Sequence, residues 1–151
     1  MATRDIVTQE AFLRKPCKPV EQFDRKLQTL LEDMAETMYQ ANGVGLAANQ
    51  VGVLRCVVVI DTDDELIELI NPVILKAEGE QDGLEGCLSF PNQFGNVKRP
   101  MKVTIRAQDR HGNYFEKTGE GLLARAFCHE IDHLSGHVFV DLAVGLHTVR
   151  D

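Results

Sequence analysis

The chain has 151 residues, 44% apolar and 26% charged, with a net charge of −7. That suits one globular domain with a substantial core, and the acidic balance argues against direct binding to nucleic-acid backbones. The first twenty residues mix Arg4, Asp5, Glu10, Arg14 and Lys15 with apolar positions. They carry no secretory signal, no run is long enough to span a bilayer, and the expected compartment is the cytoplasm with no membrane partner.

Four cysteines, Cys17, Cys56, Cys87 and Cys128, are spaced irregularly and form no C-x-x-C pair. A disulfide framework is therefore not expected. Cys17, Cys56 and Cys128 read as small buried hydrophobes; Cys87 stands in a motif taken up below.

In chain order, Thr8 is expected to cap a short turn over Gln9 to Arg14, and Pro16 and Pro19 stop any helix there. Leu27, Leu30, Leu31, Met34, Ala35 and Met38 recur at helical spacing and predict an amphipathic helix over 24–41, ended by Asn42-Gly43. The run Gly43-Val44-Gly45-Leu46-Ala47-Ala48-Asn49-Gln50 is rich in small residues that allow close approach. By itself it reads as a turn, with no phosphate-binding signature. Val57 to Ile60 predicts a buried strand, Asp61 to Asp64 a solvated acidic loop, and Leu66 to Ile70 a second strand broken by Asn71-Pro72. Val73 to Leu75 then reads as a third strand and Gly79 to Gly83 as a polar loop. From Val97 the strand pattern resumes. Val103, Ile105 and Ala107 alternate with polar residues, and Tyr114 to Thr118 returns as the second arm of a hairpin around Asp109 to Asn113, where His111 is solvated. A helix opened by Gly119 to Gly121 and ended by Gly136 is apolar nearly all round and so belongs inside. Val138 to Leu142 reads as one last short strand.

That inner helix carries Cys128-His129-Glu130-Ile131-Asp132-His133. Positions four apart lie roughly 40° apart around a helix and about 6 Å apart along it, so His129 and His133 can grip one metal ion. Glu130 stands where a base acting on water beside that metal is needed. The bland alternative is a pair of core histidines satisfied by hydrogen bonds. Buried charge weighs against it, because Glu130 and Asp132 in a core need a compensating cation or partners. Asp132 can orient a neighbouring group.

A catalytic metal needs a third protein ligand and one position open to water. Phe139 occupies the position where one metalloprotease pattern requires a third histidine, and no glutamate follows Glu130. His137 and His147 miss the spacing, and Asp141 lies in an apparent strand of its own. An upstream ligand is expected, and Cys87 is the best candidate, since thiolate binds such metals well and Gly86 leaves room.

Gly43 to Gln50, Glu85-Gly86-Cys87-Leu88-Ser89 and His129-Glu130-Ile131-Asp132-His133-Leu134-Ser135-Gly136 together resemble the three signature motifs of peptide deformylase. They stand in the family's order and at family-like separations, across about residues 16–142. The resemblance implies an enzyme that removes the formyl group from the N-terminal methionine of nascent proteins and releases formate. It implies that Cys87, His129 and His133 hold one divalent ion, Fe2+ in the cell, with Zn2+, Ni2+ or Co2+ able to replace it. Glu130 would take the proton of the attacking water and pass it to the departing amine. Gln50, through its side-chain amide, and Leu88, through its backbone N–H, would hold the oxyanion. The peptide would lie as an added strand on Val44, Gly45 and Gly86, with methionine in an apolar pocket. Glu85 can pair with Arg99 to stiffen the Cys87 loop.

Three departures stand out. Cys128 replaces a common glutamine, and one step round from His129 it should face away from the metal. Phe94 sits where some members have arginine. The chain ends at Asp151 without the long C-terminal helix that docks some members on the ribosome, which leaves ribosome docking open.

The expected fold is α+β: the buried His-Glu-x-x-His helix packed between small, mainly antiparallel β-sheets, with a second long amphipathic helix, in one catalytic domain over 1–151. The competing functions are a small metalloprotease and a non-catalytic metal-binding protein.

Overall fold

The computed structural model describes the backbone of residues 2–148 and the side chains of residues 2–146. The question of a long C-terminal helix after Thr148, and the side chain of His147, lie outside the described residues.

Helix α1 (Glu10–Leu13) and helix α2 (Arg25–Gln40) precede strands β1 (Gly45–Ala47), β2 (Val57–Ile60), β3 (Ile67–Glu78), β4 (Gln81–Cys87), β5 (Phe90–Arg99), β6 (Lys102–Gln108) and β7 (Tyr114–Glu120). Helix α3 (Leu122–Leu134) and strand β8 (Val144–Thr148) close the chain, and short 3-10 turns cover Ala48–Val51 and Phe139–Asp141. The strands form a mixed α/β fold with two antiparallel sheets, ordered β1-β2-β3-β6-β7 and β4-β5-β8.

Strand β2 shows how the larger sheet is held. All four of its residues are buried. Alternate side chains leave opposite faces of a strand. Val58 and Ile60 join a core with Ala124, Phe127 and Leu134 of α3. Val57 and Val59 join a core with Leu27, Leu31, Met34 and Met38 of α2. Burial on both faces explains a continuous β-branched run where a half-exposed strand would alternate. A third cluster, Leu13, Phe90, Val97, Val138 and Phe139, ties α1 to the smaller sheet.

Helix ends follow local chemistry. Asp24 caps α2 by accepting from the Leu27 backbone N–H at 3.1 Å. At its other end Asn42 takes φ 58°, and Gly43 N–H returns to the Met38 carbonyl. After α3, Gly136 takes φ 79°, and a Cβ there would fall 2.2 Å from the Arg14 carbonyl oxygen, so only glycine fits.

Several expected boundaries moved. Gln9, not Thr8, precedes α1, and no side chain caps it. Asn71-Pro72 does not break the chain into two strands; β3 runs on through it with a bulge. Asn71 takes φ 54° and its side chain replaces the interrupted ladder. It accepts from Val20 N–H at 2.8 Å and donates to the Val20 carbonyl at 3.0 Å and to Gln108 Oε1 at 2.8 Å. The loop at Gly79 to Gly83 is shorter than expected, since Gln81 already begins β4. The strand pattern resumes at Phe90 rather than Val97. Val138 to Leu142 is no strand but a segment containing a 3-10 turn, and the last strand is β8. Gly45 to Ala47 forms an edge strand, not merely a turn. Cys128 is buried, whereas Cys17 and Cys56 are only partly buried at the margin of the α3 core.

Candidate active site

Three elements converge on one point. Strand β4 ends at Cys87, α3 carries His129, Glu130 and His133, and the 3-10 turn after β1 carries Gln50. The ligand atoms of Cys87, His129 and His133 all lie within 4.8 Å of one another. Cys87 Sγ is 3.3 Å from His133 Nε2. Gln50 is fixed at both ends of its amide. Oε1 accepts from Ala47 N–H at 3.0 Å, and Nε2 faces Cys87 Sγ at 3.3 Å and Ser89 Oγ at 3.2 Å.

His129 is oriented by Glu85. Its Nδ1 lies 2.7 Å from Glu85 Oε1. Glu85 in turn receives Arg99 through Nε at 2.8 Å and Nη2 at 2.9 Å, and Arg125 through Nη1 at 2.6 Å. Arg99 also reaches Asp132 Oδ2 at 2.8 Å. Glu85 and both arginines are buried. Burial pushes the Glu85 carboxyl upward, but hydrogen bonds from Arg99 and His129 outweigh it and hold the group well below the usual carboxylate range. A carboxylate there keeps the His129 proton on Nδ1 and leaves Nε2 free as a ligand. Asn49 holds the helix end in place, donating to the His133 carbonyl at 2.9 Å.

Glu130 is buried beside Gly45. A Cβ on Gly45 would fall 2.6 Å from Glu130 Oε2. Its Oε1 is buried without a hydrogen-bond partner among the described residues. Burial is the largest influence on this carboxyl and pushes it up to about 7, against the pull of His129. Burial also presses His133 down to about 3, so it stays neutral and able to donate a lone pair.

Val44, Gly45, Gly86 and Leu88 line a cavity of about 500 Å3 together with Cys87, His129 and Glu130. Leu84, Phe94, Leu122 and Ala126 complete its apolar walls. The free edges of β1 and β4 both border this groove. Leu88 stands in the turn directly after Cys87, where its side chain packs over Gly43.

Every candidate site residue read from the sequence is thus in one place, and Asp141 and His137, rejected as ligands, are elsewhere. Asp141 is paired with Arg14 at 2.8 Å, and His137 is exposed. The Glu85–Arg99 pair is present. The sequence reading did not find Glu85 as the partner of His129, nor Arg125 and Ser89. Arg125 offered a signal, because a charge amid the apolar first turns of a buried helix needs a buried partner.

The arrangement agrees with what the chain resembles. A family model described as polypeptide deformylase matches residues 4–148. The peptide deformylase of Caldicellulosiruptor bescii is 58% identical over 145 residues, which is 95% of this chain and 87% of that protein. The peptide deformylase of Caldanaerobacter subterraneus subsp. tengcongensis is 62% identical over 132 residues, 87% of this chain and 83% of that protein. The crystal structure of a peptide deformylase from Legionella pneumophila is similar with a TM-score of 0.91 and 50% identity, covering 95% of this chain and 88% of that one.

Proposed function

The chain belongs to the polypeptide deformylase family, and we propose that Cys87, His129 and His133 hold the metal with which it works. It is a metal-dependent hydrolase that removes the formyl group from the N-terminal methionine of nascent proteins.

The three side chains fit such an ion. Usual tetrahedral bonds of about 2.3 Å to sulfur and about 2.05 Å to nitrogen set sulfur and nitrogen about 3.6 Å apart. The observed 3.3 Å between Cys87 Sγ and His133 Nε2 is close to that. Thiolate and imidazole suit Fe2+, Zn2+, Ni2+ and Co2+ alike, and we take Fe2+ as the cellular ion on the family's usage. When bound, the ion supplies a Lewis acid toward the formyl oxygen and the attacking water.

The protein's own residues supply the rest. Glu130 takes a proton from the attacking water and returns it to the departing amine. Gln50 Nε2, on an amide anchored through Oε1 by the Ala47 N–H, and the Leu88 N–H donate to the oxyanion as it forms. The backbones of Val44, Gly45 and Gly86 receive the peptide as an added strand between the free edges of β1 and β4. The apolar cavity takes the methionine side chain. Glu85 keeps the lone pair of His129 aimed at the cluster.

We further propose that residues 1–151 act as one catalytic domain in the cytoplasm, with formylmethionyl nascent peptides as its direct partners. The net charge of −7 opposes a nucleic-acid role. No helix among the described residues is long and apolar enough to cross a membrane.

The observation that carries this reading is the partnerless, buried Glu130 oxygen beside three convergent ligand atoms. Formate release from formyl-Met-Ala-Ser tests it. A metalloprotease would instead cut internal peptide bonds.

A further inference from the structure

Strand β4 turns different side chains to its two faces at the groove. Glu85 meets His129 at 2.7 Å and Cys87 meets His133 at 3.3 Å, so both side chains turn toward α3. Gly86 stands between them and faces the other way. Its partner across β4 and β5 is Phe94. A Cβ on Gly86 would fall 2.8 Å from Phe94 Cε1 and 2.9 Å from Cδ1, so the ring lies over the glycine and reaches from β5 toward the free edge of β4. Leu84, two residues before Gly86, shares that outward face. Leu84 is 61% exposed and Phe94 39% exposed, and both line the groove.

We propose that Phe94 and Leu84 form an apolar shelf for the second side chain of the substrate, so that this enzyme favours formylmethionyl peptides whose second residue is large and apolar. This rests on the reading that the peptide lies as an added strand against Gly86, with methionine in the cavity. Leu122, Ala126, His129 and Glu130 put the inner wall of that cavity on α3, so methionine turns toward the helix. Successive side chains of a strand leave opposite faces, so the next one turns outward. There it meets the side of Gly86 that the Phe94 ring covers. Side chains opposite one another on neighbouring strands are about 5 Å apart, within contact of that ring. Removing about 50 Å2 of apolar surface from water corresponds to about tenfold in rate. The reaction itself does not change: the same formyl C–N bond breaks and the same formate leaves.

The test measures kcat/KM of the metal-loaded enzyme on formyl-Met-Leu-Ser and formyl-Met-Asn-Ser, whose second residues are alike in shape and opposite in polarity. Wild type is expected to favour leucine about tenfold. Phe94→Gln keeps bulk over Gly86 but removes the apolar ring, and is expected to lower that ratio to about twofold. Leu84→Ser, at a more exposed position, is expected to lower it by about threefold. The ratio between formyl-Met-Ala-Leu and formyl-Met-Ala-Asn is expected to stay the same in both variants, because the third side chain turns back toward α3. A wild type indifferent to leucine or asparagine at the second position overturns the proposal. So does a Phe94→Gln enzyme that loses rate equally on both peptides, which is the mark of a merely structural ring, or one whose third-position ratio changes in place of the second. If Phe94→Gln does not fold, the wild-type ordering and Leu84→Ser decide. Failure of the wild type to release formate from any of these peptides overturns the function proposed above, whereas release without the leucine preference overturns the shelf alone.

Discussion

Glu85 Oε1 lies 2.7 Å from His129 Nδ1, inside the protein and beneath two guanidinium groups. This contact joins the smaller sheet to α3 and selects the ring nitrogen that faces Cys87. Three positive or proton-donating groups share one carboxylate, so its removal affects both stability and metal binding.

Glu85→Gln keeps the shape but removes the charge. Arg99 and Arg125 then remain buried with weaker acceptors, a loss on the order of 3–5 kcal/mol in unfolding free energy. His129 loses the partner that fixes its tautomer, and metal affinity should fall roughly 10- to 100-fold. Denaturant unfolding and competition with a chelator measure the two effects. Unchanged metal affinity would remove Glu85 from the support of His129.

Gly45→Ala tests the placement of Glu130. The new methyl would fall 2.6 Å from Oε2, and the β1 backbone is fixed by its pairing with β2. Glu130 must therefore move. Displacement by about 1 Å can lower turnover about 100-fold. Metal content should stay at the wild-type level, because the atoms nearest the new methyl all belong to Glu130 and none to a ligand. Full activity in this variant would show that the position of Glu130 does not matter.

The burial of Glu130 predicts a pH dependence of stability in the metal-free protein. Its folded value of about 7 stands above the ordinary 4.5. The folded state therefore holds the proton more tightly, and this contribution is complete below about 4.5 and lost as pH rises to about 7. Glu130→Gln has no such loss. Its stability relative to wild type should grow between pH 4.5 and 7, by up to about 3 kcal/mol. The Glu130 charge also holds the proton on His129, so the difference reports the Glu130–His129 pair titrating together. Urea unfolding of the chelated proteins at pH 5 and pH 8 reads it. A constant difference would mean that Glu130 has an ordinary carboxyl.

Much of this architecture could be read before any coordinates. The α2 stripe from Leu27 to Met38 and the β6 alternation of Val103, Ile105 and Ala107 are local patterns that burial merely repeats. The imidazoles of His129 and His133 were legible because helix geometry alone brings them together. Cys87 came from elimination and chemistry. What stayed hidden depends on distant partners. Asn71 looked like a strand breaker because nothing nearby shows that Val20 and Gln108 will complete its hydrogen bonds. Val138 to Leu142 has strand-forming residues, yet Val138 and Phe139 fill the cluster around Leu13 from an irregular segment. Glu85 was paired with Arg99 in the reading, but its contact with His129 spans 44 positions and has no local signature.

The most direct test is formate release from formyl-Met-Ala-Ser under anaerobic conditions, with metal analysis of the same sample and of Glu130→Ala. Wild type should contain about one divalent ion per chain and release formate, and chelation should stop it. Glu130→Ala should keep the ion and lose turnover by about 100-fold or more. Formate release that survives both metal removal and loss of Glu130 would contradict the account.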